Sequence, residues 1–282
     1  VTPEGLYLYF QGVSLVLGLL IGSFLNVVIA RLPLDRSVVS PPSHCPTCGH
    51  GIRPYDNVPV LSWLILRGRC RDCKSPISSL YPTIELLTGL LSWLLFRRLI
   101  PGSDALDLPH AAGFLVMLVF VAMLVAETYI DLRHTIIPDE LSIYAAPFGI
   151  GAALLLGWLD YPAAVPWRQS VLGAFFGGGS LLAVMGLYWL VRRREGMGMG
   201  DAKLLAMIGA FLGLWPAVPF VIFVSSVIGA MVGVPVTLLR RGGLSLALPF
   251  GPFIAVAAVV YVLHGPELME RWFPGILYLM AQ

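Results

Sequence analysis

Residues 111–131 read AAGFLVMLVFVAMLVAETYID. From Ala111 to Ala126 no side chain is polar, and then two carboxylates, Glu127 and Asp131, follow one helical turn apart. At 1.5 Å per residue the stretch makes a helix of about 30 Å, the thickness of a bilayer's hydrocarbon core. Apolar runs of the same kind lie on both sides of it. Eight are read, at roughly 13–30, 80–96, 111–130, 141–158, 170–191, 202–214, 217–239 and 249–264. Only 12% of the 282 residues are charged, about half the share of an ordinary soluble domain, and 57% are hydrophobic. The expected fold class is therefore an all-α polytopic membrane protein with about eight transmembrane helices in a lipid bilayer. A net charge of +2 gives no reason to expect nucleic acid as a partner.

The expected organisation is a first transmembrane helix at 13–30, a polar cytoplasmic loop domain at 31–79, and a transmembrane core at 80–282. Lys and Arg set the orientation. Fourteen of the 18 fall in or beside the loops 31–79, 131–140, 192–201 and 240–248. Only Arg97, Arg98, Arg168 and Arg271 fall on the other side. The first set is placed in the cytoplasm, with both termini outside. Leu8-Tyr9-Phe10-Gln11-Gly12 looks like an engineered protease site, so no function is read from residues 1–12. No cleavable secretory signal is expected in 13–30. Gly18 with Gly22, Gly209 with Gly213, and Gly229 with Gly233 are small-xxx-small pairs that let helices approach closely.

The polar loop holds all four cysteines, as Cys45-Pro-Thr-Cys48 and Cys70-Arg-Asp-Cys73. Two such turns supply four thiolates for one tetrahedral ion, which suits structural Zn2+ in a zinc-ribbon-like loop. The other reading is two disulfides, which a reducing cytosol disfavours. Four thiolates leave no open position, so a catalytic role for the metal is not expected.

Carboxylates in apolar spans are costly, at least ~2.5 kcal/mol at mid-membrane, and are functional candidates. Asp139 has a simple explanation as the cap of a helix beginning at Glu140. Asp131 has none: it closes a helix, where the macrodipole disfavours negative charge. Asp201 ends the run Gly196-Met-Gly198-Met-Gly200-Asp201, whose glycines permit irregular backbone and close approach. A plain N-cap is the alternative for Asp201. The helix after it is too short to cross a membrane, so its start is expected to be recessed. Two aspartates at the same-side ends of two spans are the parts of an aspartyl protease, one as general base and one as general acid. The dipole argument assigns Asp201 as base and Asp131 as acid. Intramembrane acids and broken helices also describe an ion-coupled transporter, the principal alternative. A membrane scaffold with a docking zinc loop is a third.

Over essentially its whole length the chain resembles the type IV prepilin peptidases, bifunctional leader peptidases and N-methyltransferases of the GxGD aspartyl protease class. The resemblance rests on several motifs in order. They are Gly22-Ser23-Phe24-Leu25-Asn26, the paired cysteine turns, Arg53-Pro54 with Asn57-Val58-Pro59, and Tyr81-Pro82 with Glu85. Then come Ile130-Asp131, Ile137-Pro138-Asp139, the glycine run through Asp201-Ala202-Lys203-Leu204, and Pro249-Phe250-Gly251-Pro252. The resemblance implies catalytic Asp131 and Asp201, and zinc ligands Cys45, Cys48, Cys70 and Cys73. It implies a multi-pass protein of the bacterial inner membrane, with the active site facing the cytoplasm. Prepilins and pseudopilins are the implied substrates, cut after a glycine, and S-adenosylmethionine is the implied methyl donor. Gly22, Asn26, Glu85, Gly198, Gly200 and Lys203 are candidates for contacts with substrate or loop. An interhelical hydrogen bond is the plainer role for Asn26 and Glu85. Glu127-Thr128-Tyr129 departs from the family, which more often has small or apolar residues there.

Overall fold

A computed structural model describes residues 2–193, 198–239, 249–272 and 274. Nine α-helices form among them: α1 (Pro3–Arg31), α2 (Leu61–Ile65), α3 (Leu80–Leu99), α4 (Leu108–His134), α5 (Ala146–Trp158), α6 (Trp167–Arg192), α7 (Met199–Leu212), α8 (Ala217–Leu239) and α9 (Gly251–Trp272). No β-strand forms among the described residues, where the only β-pairs are two isolated bridges in the cysteine loop. Helix is the expected outcome for apolar segments in lipid, because it satisfies every backbone N–H and C=O within the segment. Eight of the helices stand where apolar segments were read. Five are long and apolar enough to cross a membrane: α1, α4, α6, α8 and α9. Helices α5 and α7, with 13 and 14 residues, are about 20 Å long, short of a core of about 30 Å.

Helix α1 begins ten residues before the expected span. Pro3 opens it, and Thr2 Oγ1 accepts from the Gly5 N–H at 3.2 Å as its N-cap. Tyr7, in this extension, donates its hydroxyl to Ile100 O at 2.8 Å. The fourth segment starts later than read: residues 139–145 are turn, and α5 opens at Ala146 with Pro147 in its first turn.

The chain divides into two compact units, Val1–Ala126 and Glu127–Gln282. In the N-terminal unit α1 packs on α3. A Cβ at Gly18 would lie 2.5 Å from Ser92 Cβ, and one at Gly22 would lie 2.7 Å from Glu85 Cα, so only glycine allows this crossing. Ser92 donates to Ser14 O at 2.6 Å across the same contact.

In the C-terminal unit α7 is the central element. It packs on α5, α6, α8 and α9. From Asp201 to Leu212 every residue but Lys203 is buried. The closest contact is with α6, where a Cβ at Gly209 would overlap the Gly173 carbonyl, and the reverse holds too. Gly177 and Gly178 continue the seam against Leu205 and Ala206, and Ser170 donates to Ala210 O at 2.5 Å. Gly209→Ala is therefore expected to lower the thermal unfolding midpoint in detergent, through about 1–3 kcal/mol of overpacking. Gly151→Ala, whose Cβ meets open space, leaves it unchanged or raises it. Equal midpoints for the two variants would contradict the close α6–α7 seam.

Candidate active site and metal centre

The candidate active site is built on the C-terminal unit. Asp131 lies in the last turn of α4 and is 5% exposed. Asp201 is the third residue of α7 and is 8% exposed. The two carboxylates are close enough for the Asp131 charge to act on Asp201. Asp201 is not the N-cap. Gly198 holds that position in extended conformation and accepts the Asp201 N–H at 3.3 Å. The aspartate sits in the first turn, where the helix dipole favours its negative charge.

One side chain joins the surrounding elements. Ile137, in the loop after α4, lies against Gly200 of α7, where a Cβ would come within 3.0 Å of it. The same Ile137 lies against Gly251 at the start of α9. Gly251 in turn touches Asp131: a Cβ there would sit 2.6 Å from Oδ2. Two glycines thus let α7 and α9 close around the carboxylates. Lys203 Nζ pairs with Asp139 Oδ1 at 2.5 Å and ties this loop to α7. Asp139 therefore does not cap a helix at Glu140. It lies in a turn and serves as the partner of Lys203. Gly196 and Met197 lie outside the described residues.

Sequence reading missed the closeness of Gly251 to Asp131. The motif Pro249-Phe250-Gly251-Pro252 was visible, but nothing local linked it to a residue 120 positions earlier. Glu127 was read as a candidate carboxylate, a departure from the family, and a charge one turn from Asp131 that would repel it. It is 1% exposed, and neither of its carboxyl oxygens has a hydrogen-bond partner. Asp131 Oδ2 is likewise buried without one.

Asn26 and Glu85 belong to the N-terminal unit. Asn26 Nδ2 donates to Tyr81 O at 3.2 Å, an interhelical bond between α1 and α3, and to Gly22 O at 3.3 Å within α1. Glu85 Oε2 accepts the Val60 N–H at 2.7 Å. It anchors the loop at a non-glycine residue with φ +61°.

In that loop the two cysteine turns have the same backbone. Gly49 N–H donates to Cys45 O, and Lys74 N–H donates to Cys70 O. Cys45 N–H donates to His50 O, and Cys70 N–H to Ser75 O. The bridges His44–Gly51 and Arg69–Pro76 close the turns at equal offsets. Gly49 and Lys74 both have positive φ, 72° and 60°. All four thiols are free, which removes the disulfide reading, and their ligand atoms lie within 4.8 Å of one another. Such a cluster can hold a metal ion. N–H groups of Cys48 and Thr47, with the Ser75 hydroxyl, push the Cys45 thiol down to about 5. Arg71 of the second turn forks onto Asp56, with Nε 2.7 Å from Oδ2 and Nη2 2.5 Å from Oδ1. It holds the Asp56 carboxyl below the usual range.

Residues 16–99 match the Bacterial Peptidase A24 N-terminal domain, and residues 118–234 match the Type IV leader peptidase family. Buried carboxylates in an apolar helical body, together with these matches, define a membrane peptidase. The chain belongs to the type IV leader peptidase family. It is 41% identical to the prepilin leader peptidase/N-methyltransferase of Aeromonas hydrophila, over 95% of this chain and 94% of that one. It is 38% identical to the protein of the same name from Pseudomonas putida, over 92% of each. For Pseudomonas aeruginosa PAO1 the identity is 36%, again over 92% of each. No solved structure matches. The family sets aside the transporter and scaffold readings.

Proposed function

We propose that the protein is an intramembrane aspartyl endopeptidase that removes the basic leader of type IV prepilins and pseudopilins after a glycine. It then N-methylates the new N-terminal residue. The observation that carries the reading is the pair of buried aspartates on α4 and α7, close enough for the charge of Asp131 to act on Asp201. Asp201, at a helix N-terminus, is the ionised base that takes a proton from water as its oxygen attacks the scissile carbonyl. Asp131, at a helix C-terminus, is the acid that protonates the leaving amine as the C–N bond breaks. Gly198, where a Cβ would meet nothing closer than the Gly200 N–H at 4.0 Å, leaves room near Asp201 for an extended substrate backbone, while Gly200 is taken up by Ile137. Helices α3, α5 and α7 complete an eight-helix body in the bacterial inner membrane. The Lys and Arg bias puts the active site on the cytoplasmic side, where a basic leader is held.

Cys45, Cys48, Cys70 and Cys73 are the ligands of a structural zinc in a ribbon-like loop. A tetrahedron with Zn–S of about 2.3 Å has an edge of about 3.8 Å. Cys45 Sγ and Cys73 Sγ stand 3.8 Å apart, so the site fits the ion. The ion supplies a cross-link between the two turns.

S-adenosylmethionine is the methyl donor in this reading. A cavity of about 330 Å³ in the N-terminal unit, between α1 and residues 38–43, offers Arg31 for a carboxylate, with Ser23 and Asn57 beside it. Its lining holds no acidic group for the donor's cationic atoms, so no donor-binding residues are assigned there.

Mass spectrometry of a prepilin incubated with the purified protein tests both activities. Leader loss is expected with or without S-adenosylmethionine, and a further 14 Da, about one methyl group, only with it. An uncut prepilin under conditions where the protein is folded would defeat the reading.

A further inference from the structure

Glu127 is a buried ionisable group near the active site that the mechanism above leaves idle. It is buried, both of its oxygens lack a partner, and it lies one turn before Asp131 on the same face of α4. Side chains on a helix lean toward its N-terminus, so the Asp131 carboxyl leans toward the turn that carries Glu127. The oxygen of Asp131 that lacks a partner is also buried. Among the described residues, the ionisable groups around the site are Asp131 on α4, Asp201 on α7, and the Lys203–Asp139 pair between α7 and the loop. Of these only Asp131 acts on Glu127. No cation among the described residues acts on it, so there an ionised Glu127 has nothing to offset its desolvation. A neutral carboxylic acid carries one O–H donor, and Asp131, on whose carboxyl the Gly251 backbone N–H acts, still has in Oδ2 a buried acceptor without a hydrogen bond.

We propose that Glu127 is a neutral third carboxyl whose O–H turns to Asp131 Oδ2, directly or through one water, when Asp131 gives up its proton. It is a positioning residue: it never touches the substrate but stabilises the carboxylate that the general acid leaves behind. It offsets the disadvantage of a negative charge at the C-terminal end of α4. The proton stays on Glu127 throughout, so the step adds nothing to the balance of the hydrolysis.

This inference rests on the paired-aspartate reading. The test measures kcat/KM for a prepilin peptide across pH, with the full-length protein in detergent, for the wild type, Glu127→Leu and Glu127→Gln. The alkaline limb reports loss of the proton from the general acid. Without its donor, Asp131 holds that proton longer. The limb of Glu127→Leu is expected about one pH unit higher, a tenfold change in acidity, with a lower plateau. Its thermal unfolding midpoint should stay level or rise, because an apolar group replaces an unpartnered polar one. Glu127→Gln keeps an N–H donor, and its limb should stay near the wild type. A limb in Glu127→Leu that stays in place, or moves down, overturns the proposal. So does a limb in Glu127→Gln that moves as far as that of the leucine variant. An active Asp131→Asn would overturn the paired-aspartate reading and this inference together. An inactive Asp131→Asn with an unmoved limb in Glu127→Leu overturns this inference alone.

Discussion

Asp201→Asn is expected to lower prepilin leader cleavage by at least about 10²–10⁴-fold, the usual contribution of one positioned acid or base. Asn has nearly the same shape but cannot take a proton from water. It also removes a buried charge and not a packing group, so the fold should survive. Methyl transfer to an already cut pilin peptide is the control, because it needs the folded chain but no hydrolysis. Asp131→Asn should lose cleavage to a similar extent, since the leaving amine then has no proton donor. The double variant should be little worse than either single one, because the two groups act as a unit. Retention of substantial cleavage in Asp201→Asn, with loss in Asp131→Asn, would reverse the assignment of base and acid. Retention in both would remove the aspartyl mechanism.

Replacing Cys45 and Cys48 together by Ser should take bound zinc, measured by elemental analysis, from about one per chain to almost none. The region 31–79 should then become readily cut in limited proteolysis. The reason is the poverty of its core. Between residues 31 and 79 only Cys45, Ser62 and Gly68 are buried. Such a loop has almost no apolar burial to oppose its chain entropy. A structural zinc contributes about 10–16 kcal/mol of apparent binding energy to folding. The Arg71–Asp56 fork and the Glu85 anchor remain, but an exposed ion pair adds little. Unchanged proteolysis of the metal-free variant would show that those contacts suffice.

The helices were legible because a lipid-facing segment has few alternatives. Long apolar runs such as 111–130 and 217–239 have no other stable form in a membrane. Helix ends were less so. Leu141 to Ala145 are mostly apolar, and hydropathy cannot separate an apolar turn from a helix. Pro147, in the first turn of α5, was the usable signal. The ten residues from Pro3 to Gly12 were passed over because their sequence looked engineered, yet they continue α1 without a break.

At the candidate site the chemistry-bearing residues were readable and their neighbours were not. The placement of Asp131 against its helix dipole and the glycines before Asp201 are local features. The Lys203–Asp139 pair joins residues 64 apart, and the touch of Gly251 on Asp131 spans 120 positions. Tertiary packing made these contacts, and no periodicity encodes them. Glu127 lay between the two cases: the residue stood out, while its lack of any partner needed coordinates.

Ile137 has a wider consequence. It is wedged between two residues that possess no side chain, Gly200 and Gly251, so nothing on either flank can yield to it. Its own bulk therefore acts as a shim that fixes how far the entrances of α7 and α9 stand apart. The spacing beside the carboxylates follows the size of one branched aliphatic group, and a volume change of one methylene at position 137 would be felt there.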